Sequence, residues 1–261
     1  MLIDSHCHPN SDSLRAEAGD LMERAKAAGV GRALIVGCDL EDSAEAVSMA
    51  HRFAGYGAYA AVGIHPHEAA RYEASSLPRA LRDLAGDGRV AALGEMGLDY
   101  YYDHSPREVQ RNFFAMQLEL AAETGLPAVL HIRDAMPDAL AILRDFAGKV
   151  RLLFHCYGGG TEHLDEVLGM GGLCALGGAV TWKKSEELRE VAARLPADRL
   201  LLETDCPYMT PVPFRGKTNE PAYVRYVYEA VARIRAVDVE ELAEQIEKNA
   251  AAFFGWEREN V

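Results

Sequence analysis

Long apolar runs are the first thing this 261-residue chain lacks: no stretch of about 18 consecutive apolar residues occurs, which excludes an ordinary membrane-spanning helix. The opening residues Met1-Leu2-Ile3-Asp4 carry no basic segment followed by an apolar one, so the expectation is a cytoplasmic chain with no membrane contact. An even set of cysteines is missing as well. Cys7, Cys38, Cys156, Cys174 and Cys206 make an odd number, and without an export signal they read as reduced thiols. Low-complexity tracts, short internal repeats and Gly/Ser linkers are absent, which favours one domain over residues 1–261. Positive charge is scarce. With 27 basic against 40 acidic side chains the formal charge is −13, which excludes passive binding to a phosphate backbone through a broad basic face. An anionic substrate needs a local source of positive charge.

What is present is a rhythm. Short apolar, β-branched runs alternate with longer amphipathic stretches, the pattern of βα units around a parallel sheet. Eight strand candidates can be counted: Leu2–Asp4, Ala33–Val36, Ala58–Val62, Val90–Leu93, Ala128–His131, Leu152–His155, Leu173–Leu176 and Leu200–Glu203. Apolar residues at three- and four-residue spacing predict helices over Leu14–Ala28, Asp42–Phe53, Arg107–Glu123, Pro137–Phe146, Glu186–Arg194, Pro221–Arg235 and Val239–Phe254. Gly29, Gly55, Gly125 and Gly148 follow such stretches, where a left-handed residue ends a helix. The length is close to the roughly 250 residues of a (β/α)8 barrel. The expected fold is therefore α/β, a single-domain (β/α)8 TIM barrel, with a doubly wound open sheet as the alternative.

Candidate metal ligands recur where the strand candidates end. His6 and His8 close the first strand and, by alternation, share a face that Cys7 does not. Glu95 follows the fourth strand, His131 ends the fifth, His155 ends the sixth and Asp205 follows the eighth. Barrel active sites are built from the carboxyl ends of the strands, so these six residues converge on one mouth. Four imidazoles and two carboxylates suit two divalent ions such as Zn²⁺, Mn²⁺ or Mg²⁺, with Glu95 as the bridge. Thr204–Pro221, stiffened by Pro207, Pro211, Pro213 and Pro221, is predicted to be a loop over the same mouth.

The strings Ile3-Asp4-Ser5-His6-Cys7-His8, Gly63-Ile64-His65-Pro66-His67, Gly94-Glu95-Met96-Gly97-Leu98-Asp99-Tyr100, His131-Ile132-Arg133-Asp134-Ala135, His155-Cys156-Tyr157 and Glu203-Thr204-Asp205-Cys206-Pro207-Tyr208 closely resemble the TatD family of metal-dependent deoxyribonucleases. The resemblance runs from residue 3 to about residue 254. It implies a TIM-barrel hydrolase of the amidohydrolase superfamily that cleaves phosphodiester bonds in DNA, often as a 3′→5′ exonuclease. It also implies that His6, His8, Glu95 and Asp205 hold one metal, and Glu95, His131 and His155 the other. Relatives often have Asp-Ser-Pro where this chain has Asp205-Cys206-Pro207, and Phe where it has Tyr157. Neither departure touches a ligand.

For such chemistry Asp205 is the candidate for orienting a water and taking its proton, with Glu95 bridging the metals beside it. His65 is a candidate donor to a phosphate oxygen or the leaving oxygen, with a supporting loop histidine as the plainer role; His67 is expected to be solvated. Arg133 is either a phosphate fork or the partner of Asp134 or Asp99. Arg215 and Lys217 are candidate phosphate or sugar contacts, or an ordinary solvated loop face. Asp4 and Asp99 are expected to orient ligand imidazoles. Tyr100-Tyr101-Tyr102 either stack on bases or pack under the rim, and alternation turns Cys7 and Cys156 away from the metals. The expected substrate is a DNA end or single strand, bound transiently and without an obligatory protein partner. Two other functions compete: hydrolysis of a small ester, lactone or amide, and a non-catalytic metal-binding scaffold. Many amidohydrolase-superfamily enzymes use a carboxylated lysine as bridge where this chain has Glu95, which favours the nuclease reading.

Overall fold

In a computed structural model that describes residues 1–73, 77 and 79–256, the apolar runs form eight strands. These are β1 (Leu2–Cys7), β2 (Val30–Val36), β3 (Ala58–Val62), β4 (Val90–Asp99), β5 (Ala128–Arg133), β6 (Leu152–Phe154), β7 (Leu173–Leu176) and β8 (Leu200–Leu202). They pair in parallel in sequence order. Two backbone bonds, Asp205 N–H to the His6 carbonyl and His8 N–H to the Cys206 carbonyl, both 2.9 Å, draw the chain after β8 against β1. The result is the expected (β/α)8 barrel. The helices are α1 (Ala18–Ala27), α2 (Leu40–Arg52), α3 (Arg79–Ala85), α4 (Arg107–Thr124), α5 (Met136–Leu143), α6 (Leu164–Gly169), α7 (Glu186–Arg194), α8 (Val224–Arg235) and α9 (Val239–Phe254). Among the described residues, no helix is long and apolar enough to cross a membrane.

Strand residues such as Ala33 through Val36 and Ala60 through Val62 are fully buried, because each strand packs the barrel interior on one side and a helix on the other. Local chemistry sets the helix ends. Asp39 caps α2 by accepting the Asp42 N–H, with Glu41 and Asp42 in the first turn and His51 and Arg52 in the last, as the helix dipole favours. Gly125 and Gly255 end α4 and α9 in the left-handed region. Gly55 does not play that part: α2 gives way to a 3-10 turn over Ala54–Tyr56, and the left-handed residue is Gly57.

The largest departure from expectation is β4, which runs six residues past Leu93 and so carries both Glu95 and Asp99 on one strand. Gly97 makes that extension fit. Its φ is +144°, and a Cβ there would stand 2.0 Å from the His131 carbonyl oxygen, so only glycine lets β4 lie this close to the histidine-bearing end of β5.

Candidate metal centre

Glu95 sits at the centre of the barrel mouth, 3% exposed. Its Oε2 lies 3.4 Å from His6 Nε2 and 3.7 Å from His8 Nε2, while its Oε1 lies 2.6 Å from His131 Nδ1, 2.8 Å from His155 Nε2 and 3.6 Å from His65 Nε2. Asp205 Oδ1 closes the first group, 3.9 Å from His6 Nε2 and 3.6 Å from His8 Nε2. The residues expected at the mouth, His6, His8, His65, Glu95, His131, His155 and Asp205, are thus brought together from six elements.

The partners of the outer nitrogens fix how the rings face. His8 Nδ1 lies 2.9 Å from the Val36 carbonyl, which only accepts, so a neutral His8 turns a bare Nε2 inward. His131 Nε2 lies 3.0 Å from Asp99 Oδ2, leaving Nδ1 toward Glu95. His65 is the opposite case. Its Nδ1 accepts the His67 N–H at 3.1 Å, so the neutral ring carries its proton on Nε2, pointing into the centre. Burial first, then the neighbouring His131 charge, drives the His65 pKa well below its ordinary value and keeps that ring neutral.

Burial alone would raise the Glu95 pKa, but the surrounding imidazoles, His155 foremost and His131 through its hydrogen bond, outweigh it and hold the carboxyl well below its usual range. Asp205 is lowered in the same sense, against its own burial, by His8 and the other surrounding imidazoles. Two buried carboxylates therefore stay ionised among imidazoles, with no Lys or Arg among the described residues in ion-pair contact with either. His6 Nε2 and His8 Nε2 stand only 3.0 Å apart, and His6 Nδ1 and His155 Nδ1 are buried with no hydrogen bond. Imidazole lone pairs crowded on ionised oxygens at this spacing fit divalent cations, and the set His6/His8/Asp205 places its ligand atoms within 4.8 Å of one another.

Three residues differ from expectation, and for a fourth, Cys156, only the expected ground for its orientation does not hold. Asp4 touches no imidazole ring: it accepts from Thr204 N–H at 2.9 Å and Thr204 Oγ1 at 2.7 Å, tying the end of β8 to β1, and burial pushes its pKa up to about 8. His67 is partly exposed but not free in solvent, because its Nε2 lies 2.8 Å from Asp99 Oδ2. Cys156 lies beyond the end of β6 with φ +42°, so alternation does not apply to it; it lines a cavity of about 180 Å³ with Tyr157, Leu176 and Met209. Arg133 pairs with neither Asp134 nor Asp99 and lies over the rings of Tyr101 and Tyr102, at 4.1 and 4.7 Å. Arg215 lies 4.4 Å over Trp182, and Lys217 5.5 Å over Phe214, both exposed on the predicted loop.

Two neighbours of the centre were not among the candidates. Glu203, fully buried, accepts the Cys156 N–H at 2.6 Å and brings Oε1 to 3.3 Å from His155 Nδ1. Its signal was available: it is an acidic residue two positions before Asp205, just past the carboxyl end of the eighth strand. Cys38 places Sγ 3.9 Å from His8 Nδ1, and its position just past β2 at the same rim was the available signal. Burial pushes the Cys38 thiol up to about 11, so it stays protonated beside the ring.

A parallel barrel that gathers imidazoles and carboxylates at the carboxyl ends of its strands defines the class: a metal-dependent hydrolase of the amidohydrolase superfamily. The chain belongs to the TatD family, whose model, described as TatD related DNase, matches residues 3–255. It is 39% identical to the uncharacterized metal-dependent hydrolase YabD of Bacillus subtilis, over 97% of this chain and 99% of that one. It is 35% identical to the 3'-5' ssDNA/RNA exonuclease TatD of Erwinia amylovora, over 97% of this chain and 100% of that one. Among solved structures it is similar to YjjV, a TatD homolog from Escherichia coli, with a TM-score of 0.91 and 28% identity, covering 98% of each chain.

Proposed function

We propose that this chain removes nucleotides from single-stranded DNA ends as a 3′→5′ exonuclease that depends on two divalent ions. The observation that carries the reading is the division of Glu95, whose Oε2 faces His6 and His8 while its Oε1 faces His131 and His155. In this reading His6, His8, Glu95 and Asp205 hold one ion, and Glu95, His131 and His155 the other; Mg²⁺, Mn²⁺ and Zn²⁺ suit this donor set. When bound, such ions polarise phosphoryl oxygens and lower the pKa of a water from about 15.7 toward about 7. The name of the Erwinia relative supports nucleic acid as the substrate class.

The chain's own residues then divide the work. Asp205, ionised at the mouth, orients the attacking water and takes its proton. His65 presents its Nε2 proton to a non-bridging phosphate oxygen or to the leaving oxygen. Arg133, Arg215 and Lys217 reach phosphate or sugar from the rim. Two divalent ions outweigh two ligand carboxylates, so attraction for an anion is confined to the mouth of an otherwise acidic chain, and binding is transient and end-directed.

Glu203 sets its charge 3.3 Å from His155 Nδ1, so Glu203→Gln is expected to weaken metal binding by roughly 10- to 100-fold. Competition with a chelating dye measures this, and an unchanged affinity removes Glu203 from that role. The function itself is tested by digesting labelled single-stranded DNA across Mg²⁺, Mn²⁺, Co²⁺ and Zn²⁺. Shortening of the strand is expected; intact DNA under all four ions, with turnover of small esters or amides, overturns the proposal.

A further inference from the structure

Among the described residues, five large hydrophobic side chains stand exposed, and four of them, Tyr101, Tyr102, Tyr208 and Val212, lie on loops that follow β4 and β8 at the mouth. Tyr101 and Tyr102 are 58% and 50% exposed. Water-facing tyrosines beside a reaction centre forgo burial that the rest of the chain achieves, which marks the patch as a contact surface.

The pair is also ordered. Asp99, fully buried, accepts the backbone N–H groups of Tyr101 and Tyr102 on Oδ1, at 3.0 and 2.9 Å, and meets His131 and His67 on Oδ2. One carboxylate therefore fixes both the tyrosine turn and a ring that touches Glu95. The rings of Tyr101 and Tyr102 meet edge to face at 4.9 Å, with the Arg133 guanidinium over both. Tyr102 stacks on His104 at 5.6 Å and meets His67 at 5.4 Å, and His67 in turn lies 6.1 Å from His131. The patch is thus continuous with the centre, two ring contacts from His131.

The chemistry selects one occupant. A cation held on two aromatic faces and paired with no carboxylate, in a chain of net charge −13, complements a flat π system that carries an anion. An unpaired nucleotide has both parts, whereas a duplex seals its base faces into its own stack. We propose that Tyr101, Tyr102 and Arg133 form a stacking platform that takes an unpaired base of the substrate strand on the tyrosines and a flanking phosphate on the guanidinium. The platform rests on the phosphodiesterase reading and deepens it by assigning residues of this chain that would select an unpaired strand.

The test compares steady-state cleavage of a single-stranded oligonucleotide and a blunt duplex of the same sequence by the metal-loaded wild type, Tyr101→Ala/Tyr102→Ala and Tyr101→Phe/Tyr102→Phe. On the single strand the alanine variant is expected to raise KM about tenfold or more with kcat changed less than about twofold, and the phenylalanine variant to restore KM. On the duplex the rise in KM is expected to be several-fold smaller. A wild-type KM in the alanine variant overturns the platform and leaves the phosphodiesterase reading standing. An equal rise on strand and duplex overturns base stacking. Failure of the wild type to cleave either substrate overturns both proposals.

Discussion

Glu95→Gln is expected to reduce hydrolysis by roughly 10³-fold or more and to lower the bound metal below two ions per chain. The substitution keeps the shape of the side chain and removes its charge. In the native centre one oxygen serves His6 and His8, and the other serves His131 and His155. An amide offers one acceptor oxygen and turns an NH₂ group toward the other set of imidazoles, where a cation would meet donors instead of a lone pair. Elemental analysis of the dialysed protein and initial rates on single-stranded DNA check both halves of the expectation. Two tightly bound ions and near-native rates in the variant contradict the bridging role.

Metal removal is the second large effect. Chelation is expected to abolish activity and, against protein holding metal at about a thousand times its dissociation constant, to cost about 4 kcal/mol per site, a fall of the thermal midpoint on the order of 10 °C. The sign of the pH dependence follows from the imidazoles. His8, His131 and His155 are each drawn upward against their own burial: His8 by Asp205 and Glu95, His131 by Asp99 and Glu95, and His155 by Glu95 and Glu203. Without metal these rings take up protons, so binding a cation releases protons, and metal affinity falls as pH falls. Differential scanning with and without chelator at several pH values reads both. A midpoint that ignores the chelator contradicts the account.

Much of this centre is legible in the sequence because barrel geometry turns a one-dimensional rule into a three-dimensional one. Residues at the carboxyl ends of parallel strands share a rim, so His6, His8, Glu95, His131, His155 and Asp205 meet although nearly 200 residues separate the first from the last. Strand β3 and helices α7 and α9 also fall where their patterns place them. The extension of β4 does not, because the apolar run ends at Leu93, and what Gly94 and Gly97 provide beyond it is close approach to Val129 and His131. Asp4, Glu203 and His67 defeat the reading for another reason. Each bonds to a group contributed by a different strand or loop, and which of several nearby carboxylates meets which imidazole depends on register across the barrel. Arg133 shows the same limit: its spacing from His131 fixes the strand it belongs to, while Tyr101 and Tyr102 on the neighbouring loop decide where its guanidinium rests.

The central claim is that a Glu95-bridged pair of ions lets this acidic chain cut a polyanion. Titrating the metal-free protein with Mn²⁺ while following nucleotide release from 5′-labelled single-stranded DNA tests it most directly. The account predicts activity that saturates near two equivalents per chain, with products that shorten progressively from the 3′ end. Full activity at one equivalent, or an intact strand at saturating metal, would contradict it.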